Sequence, residues 1–244
     1  MSNHRYENDF LSLTVSNRGA EPISLMDKRK KTEYLWTGNP DVWEWHAPLL
    51  FPVCGNFPEG FVFREKRYVL PQHGFLRDQD FSEKDGVFTW ESDKETMQLY
   101  PFPFRATVSY RIDRMSVRQE LTIKNLGTSP MPYALGFHTG YLLEGGILRT
   151  GKKTFNFDES PLFPALLFPA PSQPVEVRDK SHHFTISYDP CTTLVLWSPK
   201  NGKDKVICIE PRIDAFLEEK KQMFARILKA GKSVTFSQTI TIRD

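Results

Sequence analysis

Cysteine is scarce in this chain: three residues in 244, Cys54, Cys191 and Cys208, an odd number without a Cys-x-x-Cys pair. That spacing argues against a disulfide framework or a zinc site and points to reduced thiols in a reducing compartment, most simply as small buried hydrophobes. Charge of one sign is also lacking. The 32 basic and 30 acidic residues are intermixed and leave a formal net charge of +2, too little of a field to attract a phosphate backbone, so nucleic acid is not an expected partner. No apolar run approaches the roughly 18 residues that span a bilayer, and the greasiest stretch, 161–171, is broken repeatedly by proline. The opening Met1–Phe10 is polar and charged, without the apolar core of a secretory signal, so the expectation is a cytoplasmic protein with no membrane partner. Two further absences narrow the fold. Neither a strand–helix alternation nor a Gly-x-Gly-x-x-Gly turn is present, which excludes a doubly wound α/β sheet. There is no linker, composition shift or internal repeat, so residues 1–244 are expected to form one domain.

Aromatic residues are abundant, with 19 Phe, 8 Tyr and 5 Trp, and each buried ring removes a large apolar area from water. Folding needs no staple. The dominant period is two. Val117, Gln119, Leu121 and Ile123 share one parity against Arg118, Glu120, Thr122 and Lys124, the pattern of a strand with one largely apolar face and one wet face. Asn125-Leu-Gly127 then supplies a turn. Val234, Phe236, Ile240 and Ile242 alternate in the same way after Gly231, a suitable entry turn. Shorter strands are expected at 12–15, 87–90, 106–112, 183–188, 194–197 and 206–209. Helical spacing is rare, and Ile213, Phe216, Leu217 and Phe224 suggest one short helix around 214–221. Many short strands between turn signals imply an all-β sandwich or barrel with at most one or two short helices.

Three side chains stand out chemically. His73 lies in Pro71-Gln-His-Gly-Phe-Leu-Arg-Asp78 and His138 in Gly136-Phe-His-Thr-Gly140. Taken alone, each reads either as a hydrogen-bonded core histidine or as a reactive one. Glu210 closes the apolar run Val206-Ile-Cys-Ile-Glu210 ahead of Pro211, which places a carboxylate where a strand is expected to end. Such a carboxylate is either a salt-bridge partner or a working base, because burying it unpaired is costly.

Several segments in order are similar to one family. Glu33-Tyr-Leu-Trp36, Trp43, Ala47-Pro-Leu-Leu-Phe-Pro-Val-Cys-Gly55, Gln72-His-Gly-Phe-Leu-Arg-Asp78, Asn125-Leu-Gly127, Met131-Pro132, Gly136-x-His138 and Cys208-Ile-Glu-Pro211 together resemble the aldose 1-epimerase family, in particular its bacterial lactose-operon mutarotase-like branch. The resemblance implies a large antiparallel β-sandwich, the galactose mutarotase-like supersandwich, with no metal and no cofactor. It implies a small-molecule sugar substrate; a monomer or homodimer would read the same in the sequence. By that resemblance His73 binds and polarises the sugar, His138 is the general acid toward the ring oxygen, and Glu210 is the general base on the anomeric hydroxyl. Arg77 is expected to contact substrate or hold Glu210. Gln72, Asn56, Phe137 and Arg212 complete the expected substrate surroundings, the last three because they depart from the family pattern: Gly55-Asn56 where Gly-Arg is common, Phe137 where a second glycine precedes the histidine, and Arg212 where a tryptophan follows Glu-Pro. A carbohydrate-binding or sensing protein on the same fold, and a hexose-phosphate mutarotase using Arg77, Arg105 and Arg212, are the alternative functions.

Overall fold

The computed structural model describes residues 2–158, 162–200, 206–214 and 226–244. Two antiparallel sheets carry the architecture. The larger runs in the spatial order Lys153–Asn156, Ile147–Thr150, Val175–Arg178, His183–Asp189, Ser233–Ile242, Ser116–Asn125, Phe104–Asp113, Val87–Glu91, Ser82–Lys84. The second runs Leu166–Pro169, Thr193–Trp197, Val206–Ile213, Leu135–Phe137, Leu49–Leu50, and Thr139–Leu142 also pairs with Val206–Ile213. Smaller sheets are formed by the N-terminal strands Asn3–Glu7, Leu11–Ser16, Glu21–Asp27 and Thr32–Glu33, by the hairpin Phe61–Phe63 and Lys66–Tyr68, and by the distant pair Met131–Tyr133 and Arg226–Leu228.

The period-two pattern dictates the central pairing. Leu121 faces Phe236 and Val117 faces Ile240 across the Ser116–Asn125 and Ser233–Ile242 strands, and all four are buried or nearly so. The two sheets meet through rings. Phe137 of the second sheet stacks on Phe236 of the first at 4.7 Å, and Tyr141 stacks on Phe184 at 4.7 Å. Fully buried Phe51, Phe88 and Phe104 extend the same core, the interdigitated sandwich interior that alternation produces. Asn125 caps its strand as expected. Its side chain accepts from Gly127 N–H and donates to the carbonyls of Ser129 and Leu228.

Each of the six shorter expected strands lies within an observed one, but one boundary is corrected. The strand beginning at Val206 does not stop at Glu210; it continues through Pro211 and Arg212 to Ile213. Pro211 faces Leu194 on one side, and on the other it sits where the neighbouring edge is interrupted at His138, between Leu135–Phe137 and Thr139–Leu142. A residue without an N–H is tolerated where the ladder is already broken. The helix expected around 214–221 lies almost wholly outside the described residues. The described α-helix is instead Lys94–Leu99, closed by a capping box between Asp93 and Thr96, a signal in the sequence too short to register as a period. All three cysteines are free thiols, with Cys54 and Cys208 buried. No helix of the described residues is long and apolar enough to cross a membrane.

Candidate active site

The break at His138 is the organising feature. Its backbone N–H donates to Pro48 O at 3.0 Å, outside the ladder to Val206–Ile213, and its ring turns toward that strand. There Nε2 lies 3.3 Å from Glu210 Oε1. Glu210 and Arg212 are two apart on one strand and therefore share a face. The Arg212 guanidinium donates through Nη2 to Glu210 Oε2. Gly136 makes room for that arginine, since a Cβ on residue 136 would come within 2.9 Å of Arg212 Cγ.

His73 approaches from a different element. It adopts a left-handed backbone, φ 64°, followed by Gly74 at φ 77°, a conformation that a non-glycine residue holds only when its surroundings impose it. The imposition is visible: His73 N–H donates to Gly55 O at 2.8 Å, and Gly55 N–H donates to His73 Nδ1 at 3.0 Å. With Nδ1 accepting, the neutral ring carries its proton on Nε2. Its ring meets that of His138 edge-on at 5.2 Å. Gly74 lies against the Phe51 carbonyl, and any Cβ there would fall well inside van der Waals distance of it. Gly74→Ala is therefore expected to destabilise the protein by at least about 1 kcal/mol, read as a lower urea midpoint at constant m-value.

Aromatic rings wall the centre. Trp43 stacks on His138 at 5.0 Å and 29°, and Trp197 meets both rings edge-on. The Trp36 indole N–H fixes the carbonyl of Trp43 at 2.7 Å. Burial is nearly complete, with Glu210 1% exposed, His138 6% and Arg212 6%. The electrostatic consequences follow. Burial pushes the His73 imidazole down to about 2, with His138 and Arg212 adding to the effect. Burial, then the nearby Arg212 charge, holds His138 well below the usual imidazole range. Burial works most strongly against the charge on Arg212, but Glu210, Cys54 and Asp214 together overcome it and leave the guanidinium raised. The resting cluster is thus one ion pair beside two neutral imidazoles.

The remaining expected residues divide. Arg77 is not the arginine on Glu210; its guanidinium lies 4.5 Å over the Trp45 ring and donates to Gln72 O. The side chains of Gln72 and Asn56 are exposed. Phe137 does not face the site. It is 1% exposed and stacked on Phe236 between the sheets, because neighbours on an extended strand point to opposite faces and His138 takes the site side. Its bulk relative to a glycine fills core volume. Arg105 pairs with Glu91 on the large sheet, so Arg77, Arg105 and Arg212 are each engaged separately. Among the described residues no cluster of three or more His, Cys, Asp or Glu is arranged to hold a metal.

These features define a galactose mutarotase-like β-sandwich with a histidine–histidine–carboxylate centre. The aldose 1-epimerase family pattern matches residues 4–154, and the chain belongs to that family. The plasmid and chromosomal LacX proteins of Lactococcus lactis subsp. lactis are each 30% identical to it over 154 residues, 57% of this chain. The match spans about half of those relatives, 51% of their length. Among solved structures, a galactose mutarotase related enzyme from Lactobacillus acidophilus superposes with a TM-score of 0.82 at 22% identity, covering 100% of this chain and 98% of that one. A galactose mutarotase-like protein from Lactobacillus casei gives 0.82 at 22% identity over 99% and 100%. Another from Clostridium acetobutylicum gives 0.76 at 16% over 98% and 94%. At these identities the likeness is one of fold.

Proposed function

We propose that this protein is a mutarotase, interconverting the α and β anomers of a hexose or related sugar by acid/base ring opening. The observation that supports this reading best is the 3.3 Å approach of His138 Nε2 to Glu210 Oε1. The anomeric hydroxyl oxygen and the ring oxygen of a cyclic hemiacetal share one carbon, so an acid and a base acting on them must stand side by side. Glu210 Oε1 takes the proton from the anomeric hydroxyl while His138 delivers one to the ring oxygen, and neither charge builds alone. The C1–O5 bond breaks as the carbonyl forms. Rotation about C1–C2 then presents the other carbonyl face, and reversal of the two transfers closes the opposite anomer. Arg212 aims the carboxylate through its second oxygen, and the Nε2–H of neutral His73 donates to a sugar oxygen.

This scheme needs His138 protonated, and its surroundings disfavour that form. The sign follows directly: the loaded fraction shrinks as pH rises. The value of kcat/KM, which reports the free enzyme, is expected to fall as pH increases between 5 and 8, by about tenfold per unit where the limb is fully developed. Polarimetry or exchange NMR on freshly dissolved α-glucose and α-galactose measures it. A flat profile in an active enzyme would remove His138 as the acid.

One observation favours a second reading, a carbohydrate-binding protein on the same fold. Both Glu210 oxygens already have partners and the side chain is almost fully buried. The same assay separates the two, because a binder leaves the spontaneous rate of anomer exchange unchanged.

A further inference from the structure

A closed circuit of buried and part-buried hydrogen bonds, linked by short stretches of backbone, passes through the residue next to His138. Thr139 is 1% exposed and its hydroxyl accepts from Gln238 Nε2 at 3.0 Å. Gln238 Nε2 also donates to Gln119 Oε1 at 2.8 Å, and Gln119 Nε2 donates to the Tyr110 hydroxyl at 2.8 Å. The Tyr110 hydroxyl donates to Ala20 O at 2.6 Å. Glu21, the next residue, accepts at one oxygen from the N–H groups of His46 and Ala47, both at 2.8 Å. The circuit closes from there. His46 O accepts from Gly140 N–H at 2.9 Å, and Pro48 O accepts from His138 N–H at 3.0 Å.

The segment 46–48 therefore grips both flanks of Thr139, while the glutamines grip its side chain from inside the sandwich. None of these side chains is a hydrogen-bond partner of Glu210, whose partners are Arg212 and His138. A buried amide pair contributes little net stability where apolar residues would pack as well, but a chain of linked hydrogen bonds restricts the geometries its members can adopt, even though Gln238 Oε1 is left without a partner among the described residues. The geometry fixed here is the interruption that turns the His138 ring toward Glu210. We propose that Glu21 and Thr139, linked through Gln238, Gln119 and Tyr110, are positioning residues that set the orientation of His138. The kinetic part of this proposal rests on the mutarotase reading; the structural part does not.

Glu21 is pushed up to about 7, chiefly by burial, which the Ala47 and His46 amides and the Arg77 and Arg18 charges oppose. The other titratable groups facing it are the His46 ring, 3.9 Å from its second oxygen, and Tyr110. The test is therefore run at pH 8, where the carboxylate is ionised. Thr139→Val keeps volume and β-branching but deletes the acceptor. Glu21→Ala deletes the clamp, and Glu21→Gln keeps an acceptor for both amides. Mutarotation by Thr139→Val and Glu21→Ala is expected to lose about tenfold to 100-fold in kcat with KM held, and Glu21→Gln to restore most of it. Imidazole NMR gives the second readout, with His138 assigned by its absence in His138→Asn. In Thr139→Val and Glu21→Ala the His138 ring resonances are expected to shift while those of His4, His182 and His183 stay in place. If Glu21→Ala does not fold, Thr139→Val decides alone. Unmoved His138 resonances in the folded variants overturn the proposal. Wild-type protein inactive on every sugar would sink the mutarotase reading instead, and the NMR shift would still decide this one.

Discussion

Glu210→Gln is expected to slow mutarotation by about 10²- to 10⁴-fold, with KM changed far less than kcat. The amide retains a carbonyl oxygen that accepts from the Arg212 guanidinium, so the arginine keeps a partner and the side chain keeps its place. What it loses is the capacity to take the anomeric proton. His138→Asn acts on the other half of the same transfer and is expected to produce a loss of the same order. Because the two groups act as a unit, the double variant should be about as slow as either single one, not slower by the product of the two losses. Exchange NMR at anomeric equilibrium reads all three rates under one condition, with circular dichroism confirming that each variant is folded at the assay temperature. Wild-type rates in both single variants would sink the assignment of acid and base together.

The sheets were legible in the sequence because burial on one face writes itself as alternation, as Val117 to Ile123 and Val234 to Ile242 show. The resemblance singles out His73, His138 and Glu210 one by one, and the geometry that brings them together comes from the structure. The pairing of Arg212 with Glu210 is masked by the proline between them. Pro211 suggests a strand end, yet if the strand continues, residues 210 and 212 must share a face, and the ion pair follows. Phe137 shows the same rule in reverse, since strand parity sends it away from the face that His138 uses. Other features lay beyond reach. The left-handed backbone of His73 depends on Gly55, 18 residues away in sequence, and the circuit through Gln119 and Gln238 depends on strands 119 residues apart. Long-range pairings of this kind leave no local period to read.

The largest effect on stability is expected at Arg212. Arg212→Met removes the charge that balances Glu210, which is 1% exposed, and breaking one side of a buried ion pair costs about 3–5 kcal/mol. For a chain of this size that corresponds to a Tm lower by roughly 6–20 °C, measurable by calorimetry. The loss should also depend on pH in a definite direction. Arg212 is one of the groups holding the His138 imidazole low, so its removal raises that imidazole, which then protonates beside Glu210 and partly replaces the missing charge. Leaving aside the Arg212 proton, which the variant lacks in both its native and unfolded states, the native variant binds more protons than native wild type between the two His138 titrations, while the unfolded chains bind the same number. The variant's deficit therefore grows as pH rises through that window and shrinks as pH falls. Glu210→Met/Arg212→Met separates charge from packing. Replacing both members by apolar side chains of similar reach removes the unpaired carboxylate, and most of the lost stability should return even though activity does not. A double variant as unstable as Arg212→Met alone would show that the arginine acts through its packing over Gly136, not through the charge it lends to Glu210.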